Sequence, residues 1–201
     1  MELGLFPLGI ALLPGEEGPL HIFEPRYREL IGECIDTSGA FGFIYHHDGQ
    51  LCSVGTRATV VEVLRRYDDG RLDIVVRGGD RFRLGELTSG RSFITASVID
   101  FDDVPDLPSP DELAACRRAW RKVALPGEPG EPGDRNAFAM AAALVLPAPI
   151  KQDLLELRSE RARVQRLTRE LSGELGAELL ANEIGLRAAS NGKVVHPPEG
   201  G

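Results

Sequence analysis

Only three lysines occur in 201 residues, Lys122, Lys151 and Lys193. All fall on expected helical surfaces or near the chain end, whereas a serine–lysine catalytic pair needs a lysine neutralised by burial beside its serine. Cysteine is as scarce: Cys34, Cys52 and Cys116 are scattered, odd in number and outside CxxC spacing. They read as small buried hydrophobes kept reduced in a cytoplasm, and not as a disulfide framework. No apolar run approaches the roughly 20 residues that cross a bilayer. The start, Met1 to Pro7, has no positive segment of the kind that opens a signal peptide, so a cytoplasmic location is expected and a membrane is not. Phosphate-cradling GxxxxGK[ST], dinucleotide-binding GxGxxG, zinc-binding HExxH and nucleophile-bearing GxSxG are all missing. No catalytic residue, cofactor or metal is therefore expected.

The composition itself is that of an ordinary globular chain, 42% hydrophobic and 27% charged. Charge becomes informative once divided. Residues 1–107 hold 10 Lys/Arg against 18 Asp/Glu, a net of −8, and residues 108–201 hold 13 of each. An acidic surface repels phosphate backbones, which makes nucleic acid an unlikely partner of the first part.

The first part reads as short strands. Asp48-Gly49 separates Phe41–Tyr45 from Leu51–Val54, and Asp69-Gly70 separates Thr59–Leu64 from Leu72–Val76. Asp-Gly permits the positive φ angles of two-residue hairpin turns. Leu72, Ile74 and Val76 share one strand face. Gly78-Gly79 is expected to break that strand, with Phe82 and Leu84 alternating against Arg81 and Arg83 beyond it. Closely spaced short strands imply a small barrel or sandwich. One helix interrupts them: Pro25 suits a first helical turn, and Tyr27, Leu30, Ile31 and Cys34 form its apolar face.

From about residue 108 the pattern turns helical. Ser109-Pro110-Asp111-Glu112 is a capping box, and Leu113, Cys116, Trp120 and Val123 mark the buried stripe that follows. Residues 126–134 (PGEPGEPGD) read as a flexible loop. Helices are expected over Asn136–Leu146, Ile150–Leu157 and Ser159 to about Ile184, the last weakened at Gly173 and Gly176. The expected domains are 1–107 and 108–188, with a disordered tail at 189–201.

Few residues suggest chemistry. His46-His47 reads as an exposed hairpin end, since neighbouring strand residues point apart and no second ligand pair stands at zinc spacing. His21 reads as a structural histidine. Arg57, Arg65, Arg66, Arg77, Arg81 and Arg83 read as a polar barrel face, with a carboxylate- or phosphate-binding groove as the alternative.

Two blocks carry a resemblance. Residues 5–15 (LFPLGIALLPG) with 18–31 (GPLHIFEPRYRELI), then Val54-Gly55-Thr56 with residues 73–84 (DIVVRGGDRFRL), resemble in order the Lon protease amino-terminal domain family, its free-standing bacterial members above all. The resemblance implies an α+β chain: a PUA-like β pseudo-barrel with one intervening helix, followed by a C-terminal helical bundle. It also implies a substrate-recognition module for unfolded or tagged polypeptides, working with a separate ATP-dependent protease. The expected polypeptide-binding surface is Phe6, Leu20, His21, Phe23, Glu24, Arg26 and Tyr27, with core packing the competing role for the apolar members. An RNA-binding module and a small-molecule-binding protein, with a deep polar pocket around His21 and Glu24, are the alternatives.

Overall fold

The structure is a computed structural model and describes residues 1–124 and 136–181. The expectations for the Pro/Gly loop at 126–134, the helix end at Ile184 and the tail at 189–201 lie outside the described residues.

The strands are β1 (Glu2–Leu8), β2 (Glu17–Ile22), β3 (Ala40–His47), β4 (Gln50–Leu51), β5 (Val54–Arg66), β6 (Leu72–Thr88) and β7 (Thr95–Asp100), with helix α1 (Pro25–Thr37) between β2 and β3. They form one sheet in the order β1-β7-β6-β5-β3-β4, and parallel pairing of β1 with β3 closes it into a barrel. This is the PUA-like pseudo-barrel, and the whole is α+β. β2 stands off the ring. Among the described residues it pairs with β6 alone, antiparallel, from Glu17↔Arg77 to Ile22↔Leu72.

Helix α1 buries the expected face, Tyr27, Leu30, Ile31 and Cys34. It meets Phe6, Phe41, Phe43, Leu72 and Ile74 in one apolar cluster. At the first hairpin Asp48 and Gly49 both take positive φ, 49° and 78°. The second hairpin differs from expectation. It spans Tyr67 to Arg71, closed by Tyr67 N–H to the Arg71 carbonyl at 3.0 Å, and only Gly70 is left-handed. Nor do Gly78-Gly79 end a strand, because β6 runs through them. Gly78 donates to the Glu16 carbonyl (2.9 Å) and accepts from Gly15 N–H (2.8 Å), so the chain before β2 crosses β6 where no side chain blocks it.

The helical part comprises α2 (Pro110–Val123), α3 (Ala137–Ala142), α4 (Ala148–Glu156) and α5 (Glu160–Ser172). The capping box forms: Ser109 Oγ accepts from Glu112 N–H at 3.2 Å, and Glu112 accepts from Ser109 N–H at 2.7 Å. That backbone bond, helped by Gln165 and Arg161, holds the Glu112 carboxyl down to about 2. Ser109→Ala is expected to cost about 1 kcal/mol, read from the midpoint of a urea denaturation curve. Cys116, Trp120 and Val123 are buried on α2, with Leu113 half-buried. α3 is shorter than the apolar run suggested, ending at Ala142. The expected long last helix breaks at Gly173, which is extended (φ −100°, ψ −155°), and helix resumes over residues 174–181.

Barrel and helices are joined by a charged cluster that sequence patterning missed. Arg81 is not on a polar barrel face but buried, donating to the carbonyls of Leu155 (2.6 Å) and Leu157 (2.7 Å) and pairing with Asp103. Arg163 of α5, 2% exposed, donates to Asp103 (2.7 Å), Glu160 (2.8 Å) and the Leu157 carbonyl (2.8 Å). Asp103 therefore serves one guanidinium from each side. Burial opposes its charge, yet the bonds and charges of Arg163 and Arg81 outweigh this and hold its carboxyl below the usual range.

Candidate functional site

Gly18 lies on the inward face of β2, opposite buried Val76. Leu20, next on that face, is half-buried. With no side chain at position 18, a groove of about 180 Å³ is left between β2 and the start of α4. Its floor is Phe43 and Val76, and its far wall is Ile10, Leu146, Ala148 and Lys151. An apolar cavity of about 150 Å³ accepts a benzene-sized group, so this groove has room for one large aliphatic or aromatic side chain. Ile10 at its rim is 52% exposed. The charges at the groove are already paired: Lys151 contacts Glu16, both 13% exposed, and Glu16 also accepts from Leu13 N–H at 2.9 Å. Glu17 pairs with Arg77 just outside.

The expected surface divides. Phe6 and Tyr27, at 4% and 6% exposure, belong to the core and not to a binding surface. Their rings meet edge to face at 4.3 Å, because both side chains point under α1. Leu20 lines the groove. His21, Phe23, Glu24 and Arg26 are at the turn from β2 into α1. His21 stacks on exposed Phe23 at 6.0 Å and bonds Asp73 through Nδ1 at 2.5 Å. Asp73 also accepts from the Tyr67 hydroxyl at 2.8 Å, and these two bonds hold its carboxyl below the usual range. Glu24 pairs with Arg26, whose guanidinium lies 4.6 Å from the Tyr27 ring centroid. The turn is thus an exposed aromatic and charged ridge, separate in composition from the apolar groove.

Other candidate chemistry disperses. Arg57 pairs with Asp100 at 2.7 Å, Arg83 lies over Phe101, and Arg65 over Tyr67. His47 contacts Asp48 at 3.3 Å on an exposed hairpin end. Burial pushes the Cys34 thiol up to about 11, with the charge of Glu33 adding to it, and burial raises Cys116 too; both are poor nucleophiles. Among the described residues no group of three or more His, Cys, Asp or Glu side chains is placed to hold a metal, and no helix is long and apolar enough to cross a membrane.

The groove residues Ile10, Gly18, Leu146, Ala148 and Lys151 were not part of the binding surface expected from the sequence. A signal for them existed: glycine followed by proline inside a strand marks an edge strand with a close approach beside it.

Comparison with known proteins accords with this architecture. Lon protease 2 of Syntrophobacter fumaroxidans (strain DSM 10017 / MPOB) is 24% identical over 210 residues, covering 94% of this chain and 26% of that protein. The chain thus spans about a quarter of that relative's length. The crystal structure of a Lon N-terminal domain protein from Xanthomonas campestris superposes with a TM-score of 0.67 at 25% identity, covering 84% of this chain and 98% of the other. The N-terminal domain of the Mycobacterium avium complex Lon protease has the same fold, with a TM-score of 0.63 at 22% identity over 87% of this chain and 100% of the other. The family model described as the ATP-dependent protease La (LON) substrate-binding domain matches residues 2–125, and with well over half its length inside that match the chain belongs to the Lon substrate-binding domain family.

Proposed function

We propose that this chain is a non-catalytic recognition module that holds unfolded or tagged polypeptides, acting as an adaptor to, or a competitor of, a separate ATP-dependent protease. The observation that carries the reading is the apolar groove beside β2 in a member of a substrate-binding family. A preformed apolar cleft with few polar groups suits an apolar side chain of a non-native polypeptide, since native surfaces rarely expose large contiguous apolar stretches. Catalysis finds no support: the groove holds a single ion pair, and the buried thiols are poor nucleophiles. RNA binding is not favoured, because the barrel is acidic and Arg57, Arg77 and Arg81 are paired with Asp100, Glu17 and Asp103. A small-molecule site around His21 and Glu24 lacks its basis too, since His21 is exposed and bonds Asp73. The reading places the protein in a cytoplasm, where its unpaired thiols stay reduced.

Mixing the protein with a labelled, reduced and carboxymethylated polypeptide should raise fluorescence anisotropy saturably, and the native form of that polypeptide should not. Added to a Lon protease digesting casein, it should change the rate of digestion. Failure to bind the unfolded chain together with no change in digestion rejects the reading.

A further inference from the structure

The geometry points to strand addition: the polypeptide lies along the open edge of β2, places one aliphatic side chain in the groove beside Gly18, and carries basic residues on its flanks. This rests on the polypeptide-binding reading above and specifies how and what the site takes.

Three observations carry it. First, β2 is hydrogen-bonded on one side only among the described residues, so its other side presents main-chain donors and acceptors to an incoming strand. Pro19 sits within this strand, which fits an edge position and leaves the open edge one donor short there, so an incoming strand bonds through the residues on either side of it. Second, the groove opens beside the same strand and is lined by Gly18, Pro19 and Leu20. Strand addition of this kind takes affinity from main-chain bonds and specificity from pockets for alternate side chains. Third, charge selects the occupant. The two cations at the groove, Lys151 and Arg77, are tied to Glu16 and Glu17. What an approaching chain meets is the field of residues 1–107, whose net charge is −8. Such a field draws lysine- and arginine-rich segments and repels acidic ones.

Gly18 supplies the test. It does not need a left-handed φ, and a Cβ built on it meets nothing within 4 Å. Gly18→Leu therefore fills the groove without disturbing the barrel, which an unchanged circular dichroism spectrum and melting temperature will verify. The probes are four blocked, labelled hexapeptides: alternating leucine and lysine, alternating leucine and glutamate, and two forms of the leucine–lysine peptide N-methylated at alternate residues, one along each edge. Anisotropy titration of the wild type should show the lysine peptide binding at least about tenfold tighter than the glutamate peptide. N-methylation of one edge, and not of the other, should weaken binding at least about tenfold, because that edge loses its donors to β2. Gly18→Leu should weaken the lysine peptide by a similar factor. Equal binding by folded Gly18→Leu, or by both N-methylated forms, overturns strand addition. If the wild type still binds carboxymethylated polypeptide in that case, recognition stands and only its mode is wrong. If it binds neither peptide nor polypeptide, both readings fall.

Discussion

Asp103→Ala is expected to destabilise the protein by about 3 kcal/mol and to lower its melting temperature by about 6–12 °C. The carboxylate is shared by Arg81 and Arg163, both more than nine-tenths buried. Once it is gone, Arg163 keeps Glu160, whereas Arg81 keeps the carbonyls of Leu155 and Leu157 and the rings of Phe101 and Phe138 but no carboxylate. A buried guanidinium without a counter-charge accounts for most of the cost, since neutral carbonyls and rings replace its lost hydration only in part. Arg81→Met added to Asp103→Ala should therefore recover much of the loss, and a double-mutant cycle by urea denaturation measures that coupling. The pH dependence has a definite sign. The folded-state pKa of Asp103 is lowered, so its contribution is complete above the unfolded aspartate value of about 3.9 and fades as pH falls through the lower folded value. The gap between wild type and Asp103→Ala should accordingly shrink below about pH 4. A constant gap down to the acid transition would mean that the carboxylate charge is not what joins the two parts.

The second large effect is expected at Gly78. Here a Cβ would fall inside the van der Waals envelope of the Leu13 carbonyl oxygen, a backbone atom with no rotamer to move away. Gly78→Ala must either push the segment before β2 outward or break the bonds from Gly15 N–H and to the Glu16 carbonyl. Overpacking against backbone puts the cost at about 3 kcal/mol, the upper end for added core methyls. Because Glu16 also lines the groove, the same substitution should weaken polypeptide binding, whereas Gly79→Ala, whose Cβ would stand 3.2 Å from the Arg57 carbonyl oxygen, should cost much less. Thermal denaturation of the pair decides this: equal melting temperatures would show that the crossing tolerates a side chain.

Local rules made much of the fold legible. Pro25 with the Tyr27–Leu30–Ile31–Cys34 spacing specified α1, Asp48-Gly49 its hairpin, and Ser109 with Glu112 the start of α2, because each depends on interactions within a few residues. What stayed hidden depends on distant partners. Arg81 reads as one of several strand arginines until Asp103, 22 residues on, pairs with it and Arg163 reaches the same carboxylate from a further 60 residues away. Gly78-Gly79 looks like a strand break, yet what matters is the missing side chain at Gly78, which lets residues 13–16 cross the strand. Phe6 and Tyr27 show the same limit from the other side: an aromatic near a family motif cannot be assigned to core or surface until α1 is docked. The groove was the least legible feature, because a missing side chain at Gly18 has meaning only beside Leu146 and Ala148.

Closure of the barrel also fixes an order of events during synthesis. β1 pairs with β3 from Leu5↔Gly42 to Leu8↔Tyr45, but its other edge waits for β7, where Glu2 meets Ser97. The amino-terminal strand therefore leaves the ribosome long before one of its partners exists, and contacts of such sequence separation form slowly. The groove matures later still, because its far wall includes Leu146 and Lys151. A nascent chain of this protein thus carries β1, with Leu3, Leu5 and Phe6 that the finished fold buries, uncovered along one edge until β7 has been made.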